Sequence, residues 1–292
     1  MDPLIIEAAI NGATPQVLNP HVPRTVSEII VDACACIDAG AAIIHHHNDD
    51  SLLNARHAAQ PYREAWTRIY ERHPSALLYP TMGGGGAHTT IQERYAHVEE
   101  LADAHVLRMA LIDPGSVSLG PLDGDGLPAA IDLVYQNTFA DVRYMVDVCY
   151  ARGVGAHISI FEPGFLRVAL AYHAAGCLPH GVKIQLYFGG PALPFGLPPT
   201  AAGLDAYLAM LDGSGLAHLP WMVGVLGGDV SAALAELAIA RGGHVRVGLE
   251  DYAGPDQPRN TELVASIVRM AQRMGRPIAT SAQAAQILGL HF

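Results

Sequence analysis

The sequence predicts a single (β/α)8 barrel (TIM-barrel) domain over residues 1–292, on three observations. Short apolar runs alternate with longer amphipathic stretches throughout the chain, eight such runs can be read, and the longest connections follow the C-terminal ends of runs. An open doubly wound sheet more often stops at about five to seven strands, so the count favours closure.

The candidate strands, in order, are LIIEAAI (4–10), AAIIHHH (41–47), ALLYPTM (76–82), HVLRMAL (105–111), GAHISIF (155–161), VKIQLYF (182–188), WMVGVL (221–226) and HVRVGLE (244–250). Thr25-x-x-Glu28 forms a capping box ahead of IIVDACACIDAG, and Gly40 is placed to end that helix. Further helices are expected over 91–104, 138–152, 164–175, 201–211, 230–240 and 260–274. Residues 281–290 read as a short extra helix, so about 280–292 is a C-terminal extension that can pack on the barrel or on another subunit. The stretches 114–132 and 189–200 exceed the usual ~2–6 residues of such connections. Each follows a strand's C-terminal end, where barrels build their sites, so each is expected to close over a ligand.

Composition narrows the function. Half of the 292 residues are hydrophobic and 15% are charged, which suits a large core and excludes disorder. The charge is −11 with no Lys/Arg cluster, which argues against a nucleic-acid partner. The start lacks a basic leader and no apolar run reaches the ~20 residues that span a bilayer, so a cytoplasmic protein is expected. Cys34, Cys36, Cys149 and Cys177 form no CxxC pair and are expected to be buried thiols.

Several residues could do chemistry. Side chains alternate across a strand, so His45 and His47 share one face while His46 takes the other, and an H-x-H pair can grip one metal ion. A histidine run also fits satisfied polar packing. Glu250, at the C-terminal end of the last strand, is the candidate third ligand and leaves a fourth position open, as catalytic zinc requires. Asp251 follows as a candidate general base, although two acids opening a loop also serve as capping groups. Glu162, before Pro163, fits either an acid at the catalytic face or an N-cap, and Asp113 fits an Asx-turn. Thr81-Met82 followed by Gly83 to Gly86 could bring backbone N–H groups to a carboxylate, or be a loop that needs unusual dihedrals. No nucleophile elbow is present.

With these residues in place, the whole chain resembles the β-keto acid cleavage enzymes. The resemblance runs through EAAINGA with Asn19-Pro20, DAGAAIIHHH, the Gly-rich segment, MALIDPGS, FEPG, IQLYFGGP and GGHVRVGLEDY; IHHH followed by GLED is its most specific pairing. It implies a zinc-dependent barrel, usually tetrameric, that converts a β-keto acid and acetyl-CoA into acetoacetate and a new acyl-CoA. His45, His47 and Glu250 match the metal ligands, Asp251 the general base and Glu162 an active-site acid. Thr81, Gly83 and Gly84 match the region that receives the substrate carboxylate. Three further substrate-facing positions depart from members that cleave an amino-substituted acid. Thr14 replaces a glutamate, Leu111 replaces a threonine, and Gly228 stands in place of an arginine that pairs with the aspartate. The resemblance therefore implies a different substrate, and an Asp251 that lacks a guanidinium partner and has a raised pKa. A metal-dependent aldolase or hydrolase on the same barrel, or a barrel that binds metal and acid without turnover, are the competing readings.

Overall fold

The alternation of periodicities becomes a regular element order in the computed structural model, which describes residues 2–48, 57–85, 89–191, 193–216 and 218–292. The first half contains β1 (Ile6–Ala9), α1 (Val26–Asp38), β2 (Ile43–His46), α2 (Ala59–Arg72), β3 (Leu77–Pro80), α3 (Ile91–Asp103) and β4 (Met109–Ile112). A short hairpin of β5 (Val117–Ser118) and β6 (Val134–Tyr135) follows, then α4 (Phe139–Arg152), β7 (Gly155–Ile160) and α5 (Pro163–Ala174). The chain continues with β8 (Val182–Gly189), α6 (Ala201–Asp212), β9 (Trp221–Leu226), α7 (Val230–Ala233) and α8 (Ala235–Ala240). It closes with β10 (His244–Val247), α9 (Asn260–Arg273) and α10 (Ser281–Leu288).

Eight parallel strands follow the order β3-β2-β1-β10-β9-β8-β7-β4, and β3 lies against β4 to bring the sheet round to a nearly closed barrel. All eight expected strands are present. The capping boxes at Thr25, Thr90 and Thr138 form, each of a kind that adds about 1 kcal/mol to its helix.

Three elements differ from expectation. Helix α2 was not anticipated: its N-cap, Ala58, offers no side-chain bond, and only the spacing of buried Tyr62, Ala65, Trp66 and Ile69 marks it. The connection after β4 folds back on itself as the antiparallel β5–β6 ladder. The helix expected over 230–240 is broken at Leu234, where φ is −126°. Helix α10 settles onto the barrel: beyond it, Leu290 packs against the backbone of Gly155 and Gly181 at the strands' N-terminal ends, and Leu4 bonds to Pro277 and Ala279. Among the described residues no helix is long and apolar enough to cross a membrane.

Register divides the sheet into two faces. Partners across a parallel ladder share a face, so the pairs Glu7–Arg246, His45–Tyr79 and His157–Lys183 point the same way. That face is the lumen, because its side chains meet from different strands: the Tyr79 and His157 rings lie 4.7 Å apart, and Lys183 bonds to Glu7. The opposite face carries Ile6, Ile44, Leu78, Ile158, Ile184 and Val245, all buried against the helices. Much of the hydrophobic core therefore lies between strands and helices, and the lumen takes the buried charges together with apolar side chains such as Ile43, Leu77 and Leu111.

Candidate metal centre

The lumen's floor is a closed charge network. Glu7, fully buried, receives Lys183 Nζ, Arg246 Nη1 at 3.1 Å and the Tyr79 hydroxyl at 2.5 Å. Burial alone would push the Glu7 carboxyl up, but the two cations outweigh it and hold it below its ordinary value. Burial in turn lowers Lys183 to about 8, with Glu7 opposing the shift. Because burying two ions without compensation costs several kcal/mol each, such a group persists only when every charge is paired.

Arg246 carries this network up to the mouth. Its Nε and Nη2 donate to both oxygens of Asp251 at 2.8 and 2.9 Å, and Nη2 also lies 2.9 Å from Glu250 Oε1. Neighbouring acids consequently diverge. Burial raises Glu250, yet Arg246 and then the two histidines outweigh it and hold it well below the usual range. Asp251 is raised to about 6, since burial and the adjacent Glu250 charge exceed what the guanidinium returns.

His45, His47 and Glu250 converge at the C-terminal ends of β2 and β10, with ligand-type atoms within 4.8 Å of one another. His45 Nε2 is 3.3 Å from Glu250 Oε2, and His47 Nε2 is 3.6 Å from Oε1. His45 Nδ1 faces the Tyr79 carbonyl at 3.2 Å; donating there fixes the tautomer and leaves Nε2 as a lone pair aimed at a carboxylate. Two lone pairs facing at that distance require a proton or a cation between them. Among the described residues, both ring nitrogens of His47 and Glu250 Oε2 are buried without a hydrogen bond, and burial lowers the His47 pKa, favouring the neutral imidazole that metals bind. Two imidazoles and one carboxylate suit zinc and leave a fourth position. His46 points outward as alternation requires, its Nε2 accepting from Trp66 Nε1 at 2.7 Å.

Two residues that sequence reading passed over hold these ligands. Asn11 bonds His47 on both sides, accepting from its N–H at 2.8 Å and donating to its carbonyl at 2.8 Å. Gly12 adopts φ +51°, and a Cβ there would overlap the Glu250 side chain. Glu7, Lys183 and Arg246 were also legible as charges in the middle of apolar strands, all on one face.

The remaining candidates spread around the mouth. Glu162 occupies the N-cap position of α5, but its carboxylate accepts from Gly196 N–H at 2.9 Å instead of capping the helix. The Thr14 hydroxyl donates to the Leu249 carbonyl at 2.7 Å. Leu111 is buried on the lumen face, paired in register with His157. The Thr81 carbonyl faces His97 Nε2 at 2.6 Å, the Gly83 carbonyl accepts from Arg94 at 3.2 Å, and the Gly84 carbonyl accepts from Gln136 N–H at 2.8 Å. Gly86, the last of the glycine run, lies outside the described residues. Asp113 makes no Asx-turn: its carbonyl accepts from Gly115 N–H at 2.9 Å, while its carboxylate bonds the Tyr135 hydroxyl.

One expectation is overturned. Asp251 does not lack a guanidinium, because Arg246, five positions earlier on the same strand end, clamps it. Gly228 acts instead through backbone: its N–H and that of Gly227 reach the Asp251 carbonyl at 3.3 and 2.9 Å. A side chain at 228 would meet Val225 Cγ1 at 2.7 Å, so that position cannot hold an arginine without local rearrangement. The raised Asp251 pKa survives, with burial as its cause.

The model of a family described as beta-keto acid cleavage enzyme matches residues 3–290. The 3-keto-5-aminohexanoate cleavage enzyme of Fusobacterium nucleatum is 31% identical, covering 99% of each chain. The 3-oxoadipate:acetyl-CoA acetyltransferase of Cupriavidus necator is 28% identical, over 99% of this chain and 95% of that one. Among solved structures, the ternary complex of ObcA with C4-CoA adduct and oxalate superposes with a TM-score of 0.69 at 18% identity, covering 93% of this chain and 68% of that one, a likeness of fold.

Proposed function

Because the chain belongs to the beta-keto acid cleavage enzyme family, whose members cleave C–C bonds, we propose that it converts a β-keto acid and acetyl-CoA into acetoacetate and a new acyl-CoA, using zinc held by His45, His47 and Glu250. The observation that carries the metal is the set of unpartnered buried ligand atoms on His47 and Glu250. When bound, such an ion acts as a Lewis acid on the keto and carboxylate oxygens of the substrate.

The chain's own groups then divide the work. Asp251, 4% exposed and raised to about 6, is a stronger base than an ordinary aspartate yet largely ionised at neutral pH. It takes the proton from the carbon between keto and carboxylate groups, which frees that carbon to attack the thioester of acetyl-CoA. The CoA thiolate leaves, adds to the original keto carbon and breaks the old C–C bond, so the acyl group departs as its CoA thioester. Asp251 returns the proton to acetoacetate. Arg246 fixes both Asp251 oxygens throughout and keeps the base oriented. The loop at Thr81, Gly83 and Gly84, anchored through its carbonyls, receives the substrate carboxylate, while Glu162, Thr14 and Leu111 bound the remaining space.

The free thiols of Cys34, Cys36, Cys149 and Cys177 support a cytoplasmic setting. Exposed Leu127, Ile131 and Val134 on the excursion after β4, with Phe139 at the start of α4, support a homo-oligomer, which we take as a tetramer and which sedimentation tests.

Metal analysis of the purified protein, followed by a β-keto acid panel with acetyl-CoA watched for acetoacetate, tests the reading. Near-stoichiometric zinc with CoA-dependent acetoacetate is expected. Zinc without turnover overturns the acyl transfer, and absence of any metal overturns the centre.

A further inference from the structure

Around the barrel, β4 stands opposite β10, the strand that leads to Glu250, and β7 stands opposite β1, while β2 faces β8. At the C-terminal end of that far wall lies Asp113, 4% exposed. Leu111, two residues earlier, faces the lumen in register with His157, and alternation carries Ser159 onto the same face. Asp113 is close enough to Ser159 for that hydroxyl to stabilise its carboxylate, which places the acid at the lumen's rim. Oδ2 accepts from the Tyr135 hydroxyl. Oδ1 is buried and has no hydrogen-bond partner among the described residues. A buried carboxylate oxygen without a direct hydrogen bond costs about 1–3 kcal/mol, and the nearby Ser159 hydroxyl offsets only part of that, since burial still holds the Asp113 carboxyl above its ordinary value.

Two other polar side chains at the mouth are already engaged. The Thr14 hydroxyl is committed to the Leu249 carbonyl, and Glu162 is committed to Gly196 N–H. Between the walls the surface is apolar and aromatic: Leu111 is buried there, and Phe161 stacks on Tyr187 at 4.7 Å. The Tyr187 ring in turn lies 5.2 Å from the Arg246 guanidinium carbon, so the stack borders the metal side.

We infer that Asp113 is a specificity-determining residue that reads a hydrogen-bond donor, a hydroxyl or an ammonium, at the far end of the R group of the β-keto acid. This rests on the reading of His45, His47 and Glu250 as the point that holds the keto acid. With the reacting end held there, the R group crosses the lumen along the Phe161–Tyr187 stack and ends at Asp113 Oδ1. A site built around an unpaired acceptor rejects isosteres that lack the donor far more strongly than an apolar pocket discriminates by size. It also rejects a terminal carboxylate, which would face a buried acid.

The test uses four β-keto acids of equal length ending in ammonium, hydroxyl, methyl or carboxylate. Their binding to the zinc-loaded protein is followed by calorimetry, and their turnover with acetyl-CoA by acetoacetate release. The ammonium- or hydroxyl-ended acid is expected to bind at least about tenfold more tightly than the methyl-ended one, with the carboxylate-ended acid weakest. Preference for ammonium identifies charge pairing, and preference for hydroxyl identifies a neutral donor. In Asp113→Leu, which removes the acceptor, the spread should shrink to about threefold, with the loss falling on donor-ended acids. Best binding by the methyl- or carboxylate-ended acid, no binding by any of the four, or an unchanged ranking in Asp113→Leu overturns the inference. The ranking seen in binding without acetoacetate keeps it and removes the acyl-transfer reading. Acetoacetate formed without the ranking does the reverse.

Discussion

The floor and the mouth of the lumen are built from the same kinds of residue at similar burial, yet they finish differently. On the floor, Glu7, Lys183, Tyr79 and Arg246 satisfy one another. At the mouth, His47 and Glu250 keep buried atoms without a hydrogen-bond partner among the described residues. Burial alone thus does not mark a site. A saturated network is a frame, and an unsaturated one awaits a ligand.

The comparison can be broken most forcefully at the mouth. His47→Ala or Glu250→Ala should abolish stoichiometric zinc and lower acetoacetate formation at least about a thousandfold, since a Lewis acid supplies several kcal/mol of the barrier reduction. Retained zinc in both variants would mean that the ion is held elsewhere. If the mouth is a ligand site and not a frame, neither variant should be destabilised as severely as a floor variant.

On the floor the effect should fall on folding. Glu7→Gln leaves Lys183 and Arg246 buried without their shared anion and is expected to cost about 3–5 kcal/mol by denaturant unfolding at neutral pH. Adding Lys183→Met should recover a large part of that loss, and strict additivity would show that the pair is not coupled. The folded-state pKa of Glu7 is lowered, so its contribution is present above the ordinary value of 4.5 and is lost as pH falls through the lowered value. The deficit of Glu7→Gln should therefore shrink in acid.

A third carboxylate sharpens the contrast from outside the barrel. Asp32 on α1 is bonded by Asn260 Nδ2 at 2.7 Å, with weaker help from the Cys36 thiol and Arg259, and burial raises it to about 6. A raised acid destabilises the fold as pH climbs from its unfolded value of 3.8 through its folded value, and the penalty is constant above that. Asp32→Asn should stabilise the protein by about 1 kcal/mol at pH 7, a figure reduced for its partial exposure, and the gain should vanish toward pH 4. Loss of stability at pH 7 would show that the charged Asp32–Asn260 bond outweighs burial.

Much of this was readable from residue order. The eight strands were, because each pairs an apolar outer face with a turn-rich boundary. The convergence of His45 and His47 was, because alternation over two residues is a local rule. Helix α2 was missed because Ala58 is a silent cap, and the β5–β6 ladder because two residues per strand give no period to detect. The partner of Asp251 was misassigned to the place of Gly228 for a different reason. Whether an arginine inside a strand turns toward a following acid depends on the lumen around it, and the deciding neighbours, Glu7 and Tyr79, come from the other end of the chain.

Gly12 sets a limit on how this catalyst can diversify. The first loop of the barrel has the candidate metal ligand Glu250 pressed against its backbone, at a residue whose dihedral already disfavours a side chain. Libraries that randomise this loop to change substrate range should find position 12 invariant among active clones, whatever acid is selected for. Thr14, only two residues on and held by one hydroxyl bond, should be the first position to accept new side chains. A change of diet and the integrity of the candidate metal centre are thus separated by a single intervening residue, Ala13.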